Sequence, residues 1–230
     1  MKKLAYQVVG LAVGLLSIVC SARAGMVLRF DQSAYTVSPG GTVDIQVYLR
    51  ETIAAGGTSL LATEGLIGAA VRIRFDVPPV PSEPAQVLSV SDIMPSAVFD
   101  DAFGPIREVV AGESAGFSAI VDVTSPPAFP TEVAPDTFDL FLGSFRFTGG
   151  TTAGAVTNIR ATDFSGLDET VTGTTGTVLD AFLGEADATI RVEASGVPEP
   201  SSWIASCMGT TIGFFYIRLR RRSHRLTASF

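Results

Sequence analysis

Side chains that carry much of protein chemistry are almost missing from the middle of this 230-residue chain. Its two cysteines, Cys20 and Cys207, sit in apolar segments near the two ends, so residues 25–196 hold none. Disulfides, thiolate catalysis and Cys-ligated metal sites are excluded there. The single histidine is His224. Its position removes Ser-His-Asp and Cys-His triads, imidazole-held zinc and the commonest general base from the central region. Lysine stops at Lys3, and the one tryptophan, Trp203, lies in the C-terminal segment. Positive charge in residues 25–196 therefore comes from eight arginines, against twenty-two acids, for a net charge of −14. Such a body repels phosphate backbones, which excludes nucleic acid as a partner, and the same charge favours solubility. The enzyme chemistry left open is a carboxylate pair or a carboxylate-bound cation.

Both ends read as addresses. At the N-terminus Lys2 and Lys3 precede an apolar run over residues 8–20 and then Ala22-Arg23-Ala24. This predicts a signal peptide over residues 1–24, cut by signal peptidase after Ala24, with Ala22 and Ala24 filling the peptidase pockets. A lipoprotein reading through Cys20 is weaker, because Val19 before it is not small. At the C-terminus Pro198 and Pro200 force extended backbone, so a helix can begin only near Ser201 or Ser202. A transmembrane helix is predicted over residues 201–217, apolar from Trp203 to Ile217, with Trp203 near one end and Phe214, Phe215 and Tyr216 at the other. Seventeen residues reach roughly 25 Å, just short of a hydrocarbon core of about 30 Å. Arg218, Arg220, Arg221, Arg222 and Arg225 follow, which by the positive-inside rule places the C-terminus in the cytoplasm and the body outside.

The order Pro198-Glu199-Pro200, apolar helix, arginine cluster resembles the PEP-CTERM sorting signal of bacterial exported proteins. The resemblance covers residues 197–225. It implies an exosortase as partner, a membrane anchor before processing, and a final place on the cell surface or in the extracellular matrix.

The 172 residues between these ends suffice for one domain with a full core. Alternation predicts strands rather than helices. In residues 42–49, Val43, Ile45, Val47 and Leu49 share one face while Asp44, Gln46 and Tyr48 share the other. Residues 70–75 repeat the pattern, with Val71, Ile73 and Phe75 inward. Further strands are predicted at 26–30, 34–37, 85–90, 116–123, 138–148, 155–163, 177–182 and 188–194, with turns at Ser38-Pro39-Gly40-Gly41 and a break at Pro78-Pro79-Val80-Pro81. Residues 54–59 and 125–136 read as loose. The expectation is a single antiparallel β-sandwich of the jelly-roll type with about nine strands.

Several stretches bear a second resemblance. Residues 35–49, from Tyr35-Thr36-Val37 through Ser38-Pro39-Gly40-Gly41 to Leu49, look like the opening of a cohesin-like domain. Gly68-Ala69-Ala70-Val71-Arg72-Ile73-Arg74-Phe75-Asp76 followed by Val87-Leu88-Ser89-Val90, and Phe141-Leu142-Gly143-Ser144-Phe145-Arg146-Phe147 with Ile159 and Asp163, are similar to later strands of that family. Carbohydrate-binding modules share the architecture. Kinship with cohesins implies recognition of another protein through one face of the sandwich and carries over no contact residue.

The carboxylate clusters are Asp100-Asp101, Asp163 with Asp168-Glu169, and Glu185 with Asp187. Asp163, Asp168 and Glu169 are the only calcium candidates, in a Gly/Thr-rich loop without an EF-hand or nonapeptide pattern, and solvated loop acids are the commoner reading. Glycoside hydrolysis would need two facing carboxyls about 5 to 10 Å apart. For sugar stacking the body offers Tyr35 and Tyr48 only, since Phe75, Phe99, Phe103, Phe117, Phe138, Phe141, Phe145 and Phe147 read as core. The sequence thus points to a nonenzymatic surface or matrix protein with an interaction module, no cofactor, and a protein or polysaccharide partner. A glycan-binding module is the alternative, favoured if Tyr48, Gln46 and Asp44 form an exposed platform. A carboxylate hydrolase is the third reading, favoured by a facing pair of buried acids.

Overall fold

A computed structural model describes residues 25–76, 85–165 and 169–194. The predicted signal peptide, the proline break, Asp168 and the predicted sorting tail lie outside the described residues. Among the described residues, no helix is long and apolar enough to cross a membrane.

The described chain is all-β, with thirteen strands in two sheets. They are β1 (Gly25–Phe30), β2 (Ala34–Val37), β3 (Thr42–Thr52), β4 (Leu66–Asp76), β5 (Ile93–Pro95), β6 (Ile106–Val110), β7 (Ser114–Ile120), β8 (Thr131–Ala134), β9 (Thr137–Thr148), β10 (Val156–Thr162), β11 (Val171–Thr172), β12 (Leu183–Gly184) and β13 (Ala186–Val192). The first sheet runs β12-β1-β3-β9-β5, with β8 also on β9. The second runs β2-β13-β10-β4-β7-β6, with β11 on β4. The alternating residues fill one core between the sheets. Ile45, Val47, Leu49, Val71, Ile73, Phe75, Phe145 and Phe147 are buried, and Val43 is half-buried against them. Aromatic pairs close the gap between sheets: Phe75 on Phe147 at 5.6 Å and 78°, Phe117 on Phe145 at 5.8 Å and 27°.

The structure departs from the expected pattern at several points. Pairing is not wholly antiparallel, because β1 runs parallel to β12 and β2 parallel to β13. Residues 85–90 form no strand. Gln86 makes an isolated bridge to Thr148, and Ser89 and Asp92 then cap each other's backbone N–H groups around a 3-10 turn at Val90–Asp92. Residues 177–182 likewise make one bridge, Val178 to Val171, and wind into a 3-10 turn at Asp180–Phe182, where the Asp180 carboxylate accepts from the N–H groups of Glu169 and Thr170. Residues 125–136 are not all loose, since Pro130 and Pro135 bracket β8, which turns into β9 through Asp136 at φ 59°. Strand β6 is an edge strand with mixed exposure and carries no clean alternation for a sequence reading to find. A short helix, α1 (Leu60–Glu64), starts at Ser59, whose hydroxyl accepts from Ala62 N–H.

Candidate functional site

The outer face of the first sheet holds a cluster of polar and aromatic side chains, and a bulge in β9 turns two of them outward. In β9, Phe145 and Phe147 point inward, but so do Leu140 and Leu142. The change of parity is an extra residue: Val47 pairs with Gly143 and Tyr48 with Phe141, leaving Leu142 unpaired. Gly143 permits the close packing at this step, because a Cβ there would meet Met94 O at 2.7 Å, Pro95 Cα at 2.9 Å and the Phe117 ring at 3.0 Å. As a result Phe141 and Asp139 face outward. Phe141 stands directly opposite Tyr48, with ring centroids 5.4 Å apart and planes at 53°.

Around that pair the registers line up Arg29 beside Tyr48, Arg50 beside Asp139, Gln46 beside Ser144 and Asp44 beside Arg146. Asp139 is buried and serves both arginines: Arg50 donates through Nε at 2.7 Å and a terminal nitrogen at 2.8 Å, and Arg29 at 3.1 Å. This fork holds the Arg50 guanidinium above its usual range. The Arg29 guanidinium carbon lies 5.9 Å from the Tyr48 ring centre. Tyr48 donates its hydroxyl proton to Gln46 Oε1 at 2.6 Å, and partial burial, followed by the charge of Asp31, raises its pKa. Asp31 accepts from Tyr35 Oη at 2.6 Å and from Gln46 N–H at 3.0 Å. Arg29, Asp31, Tyr48, Asp139 and Phe141, walled by Thr131 and Val133 of β8, enclose a shallow hollow of about 320 Å³.

The expected site residues fall as follows. Tyr48 and Gln46 share this face as expected, while Asp44 is engaged with Arg146 at 2.8 and 3.2 Å. Phe141, read as core, faces outward, and Phe103 is 97% exposed in a turn, so neither belongs to the core; Phe138 is half-buried. Phe75, Phe99, Phe117, Phe145 and Phe147 are buried as expected. Among the calcium candidates, Asp163 accepts from Phe164 N–H and Glu169 from the Ser165 hydroxyl, and Asp168 lies outside the described residues. No group of three or more potential metal ligands occurs among the described residues. Asp100 accepts from Asp122 N–H and the Ser125 hydroxyl, which holds its carboxyl below the usual range. Asp101 caps Phe103 N–H, and Glu185 and Asp187 both pair with Arg160.

The two buried acids among the described residues, Glu51 and Asp139, do not face each other. Arg50 pairs with Asp139 and Glu51 with Phe138, so the alternation of the strand sends Glu51 to the inner face and Asp139 to the outer one. Glu51 instead accepts from the Ser59 hydroxyl at 2.6 Å and from the N–H groups of Leu60 and Leu61 at 2.9 and 3.0 Å, at the start of α1. Ala22, Ala24, Pro198, Glu199, Pro200, Arg218, Arg220, Arg221 and Arg222 lie outside the described residues. Sequence reasoning missed Arg29, Arg50, Asp139 and Phe141. The signal that would have found the last two is the clash of parity between Leu140/Leu142 and Phe145/Phe147 on either side of Gly143.

No protein-family model matches this chain, and no curated protein matches it. A solved structure of AvmM, which catalyses macrocyclization in alchivemycin A biosynthesis, is similar at 11% identity and a TM-score of 0.34, covering 76% of this chain and 92% of that one. At that level the likeness carries no argument about activity.

Proposed function

We propose that the protein is an exported, envelope-attached surface or extracellular-matrix component, sorted by an exosortase and carrying a nonenzymatic, cohesin-like β-sandwich of the jelly-roll type that binds a protein or polymer partner. The observation that carries the sorting half is the tail itself: Pro198-Glu199-Pro200, an apolar segment of barely spanning length, and the arginine cluster. The binding half is supported by the outer face of the first sheet. Its carboxylates are already engaged, Asp139 by two arginines and Asp31 by Tyr35 and Gln46, so the face offers fixed donors and ring surface rather than a free acid and base. The cohesin-like reading rests on residues 35–49 and 68–76, which fall on β2, β3 and β4. The outward Tyr48–Phe141 pair favours a glycan as the polymer.

Sorting is tested by fractionation and mass spectrometry of the mature C-terminus in cells that possess an exosortase. The expected result is truncation near Pro198 to Pro200, and an intact Phe230 on the surface-exposed protein would overturn processing. Binding is tested by retention on native extracellular matrix, which should weaken as salt rises past about 0.15 M if charge steers the contact. Turnover of any glycan, lost on changing one carboxylate in a folded variant, would overturn the nonenzymatic reading.

A further inference from the structure

The hollow over β3 and β9 combines three properties that together select a ligand chemistry. The first is a pair of half-buried aromatic rings on neighbouring strands, on the outer face of the sheet. The second is a set of hydrogen-bonding groups around the Tyr48 end of that pair. Arg29, 37% exposed, uses one terminal nitrogen on Asp139 and has further N–H donors, and Gln46 accepts from Tyr48 through Oε1 while keeping its amide N–H groups as donors. The Tyr48 oxygen, its proton committed to Gln46, still accepts. The third is charge balance, with Arg29 and Arg50 set against Asp139 and Asp31.

A ligand matching all three has an apolar face to lie on rings, hydroxyls around its rim and no net charge. A pyranose with equatorial hydroxyls is built this way, because its axial C–H groups leave two apolar faces and its hydroxyls radiate in the ring plane. We infer that the Tyr48–Phe141 hollow on the outer face of the first sheet is a subsite for a neutral, β-linked glucan, with one sugar ring seated against the two rings, whose planes meet at 53°, and its hydroxyls held by Arg29 and Gln46. This rests on the reading that the body binds its partner through this face. A polyuronate is disfavoured by the body's net charge of −14 and by the arginines' prior commitment to Asp139.

The subsite is set before the ligand arrives. The two-bond Arg50–Asp139 contact, the Tyr48–Gln46 bond and the Gly143 step each fix a side chain or strand that a sugar would otherwise have to order on binding. It also lies beside a gap in the strand pairing of β9. Strand β5 pairs with β9 at residues 143–145 and β8 pairs at 137–139, so neither pairs with Phe141 at the sheet edge. A polymer can therefore lie across the rings and continue past the edge, which suits internal sugars of a chain as well as its ends.

The test uses the full chain in detergent micelles, titrated calorimetrically with cellohexaose, laminarihexaose and an oligogalacturonate, beside matrix retention of the same proteins. At least one of the two neutral hexaoses should bind, and Phe141→Ala should weaken it by about fivefold, the change that an aromatic contact of around 1 kcal/mol gives where 1.4 kcal/mol is tenfold. Tyr48→Phe keeps the ring and should retain most of the affinity, and Arg146→Ala, on the same face outside the hollow, should retain all of it. Thermal unfolding of each variant separates loss of the ring from loss of the fold. No binding of either neutral hexaose, tighter binding of the oligogalacturonate, or unchanged affinity in a folded Phe141→Ala overturns the inference. If the neutral sugars fail while Tyr48→Ala/Phe141→Ala abolishes matrix retention, only the sugar assignment falls; if retention is also unchanged, the binding face falls with it.

Discussion

Tyr48 and Phe147 show how differently two aromatic residues of adjacent strands are used. Phe147 is fully buried against Phe75 of the opposite sheet, whereas Tyr48 rests half-exposed on the outer face. Phe147→Ala should therefore destabilise the protein by about 3 to 5 kcal/mol through the cavity it leaves, and Tyr48→Ala by about 1 kcal/mol. Chemical denaturation of both variants measures this, and equal losses would contradict the inward and outward assignment. Tyr35 supplies a pH dependence. Its phenol is buried and donates to Asp31, and burial first, then that bond, raises its pKa far above the ordinary value near 10. A raised pKa in the folded state means that the contribution is complete below about pH 10 and is lost as pH climbs beyond it, because only the unfolded chain ionises freely there. The denaturant midpoint should fall between about pH 9.5 and pH 11, and most of that slope should vanish in Tyr35→Phe.

At the scale of elements, two features depend on partners outside the element itself. Helix α1 has five residues, too few to be stable alone. It forms because Ser59 caps Ala62 and the buried Glu51 carboxylate collects the Ser59 hydroxyl and the Leu60 and Leu61 N–H groups. Glu51→Gln turns one acceptor into a donor facing other donors. It should cost about 1 to 3 kcal/mol and speed amide hydrogen exchange at Leu60 and Leu61 well beyond that of β3. Unchanged exchange there would show that Ser59 alone holds the helix. The β9 bulge is the second feature. Strict alternation read back from Phe145 puts Phe141 in the core, and the extra residue at Leu142 reverses that. The clash of parity across Gly143 marks the place, and the close approach of β5 and Phe117 to Gly143, which only the packed structure shows, accommodates it.

For the whole molecule, the parallel pairs β1–β12 and β2–β13 tie the first strands of the described chain to the last. Those contacts span nearly the entire body and need no cysteine. Under the proposed function the body hangs from a tail whose topology the arginines set. Replacing Arg218, Arg220, Arg221, Arg222 and Arg225 by neutral residues should release the protein from the membrane fraction, because the charge bias that keeps the C-terminus inside is gone. Fractionation and immunoblotting read this out, and undiminished retention would contradict it.

What the sequence determined by itself is the class of the body and the sidedness of its regular strands. Alternation in β3 and β4 named Ile45, Val47, Leu49, Val71, Ile73 and Phe75 as core, because a strand buried on one face must repeat every second residue. It also determined a body with no histidine, cysteine or lysine and a strongly negative charge, which are matters of composition. Tertiary structure decided everything that depends on which strands meet: the two parallel pairings, the short strands β5, β8, β11 and β12, the loss of strand character at 85–90 and 177–182, and the outward turn of Phe141. The Arg29–Asp139–Arg50 group belongs to this second set. Its members stand 89 and 110 residues apart in sequence and become neighbours only when β1, β3 and β9 are laid side by side, so pairing rather than local propensity creates the site.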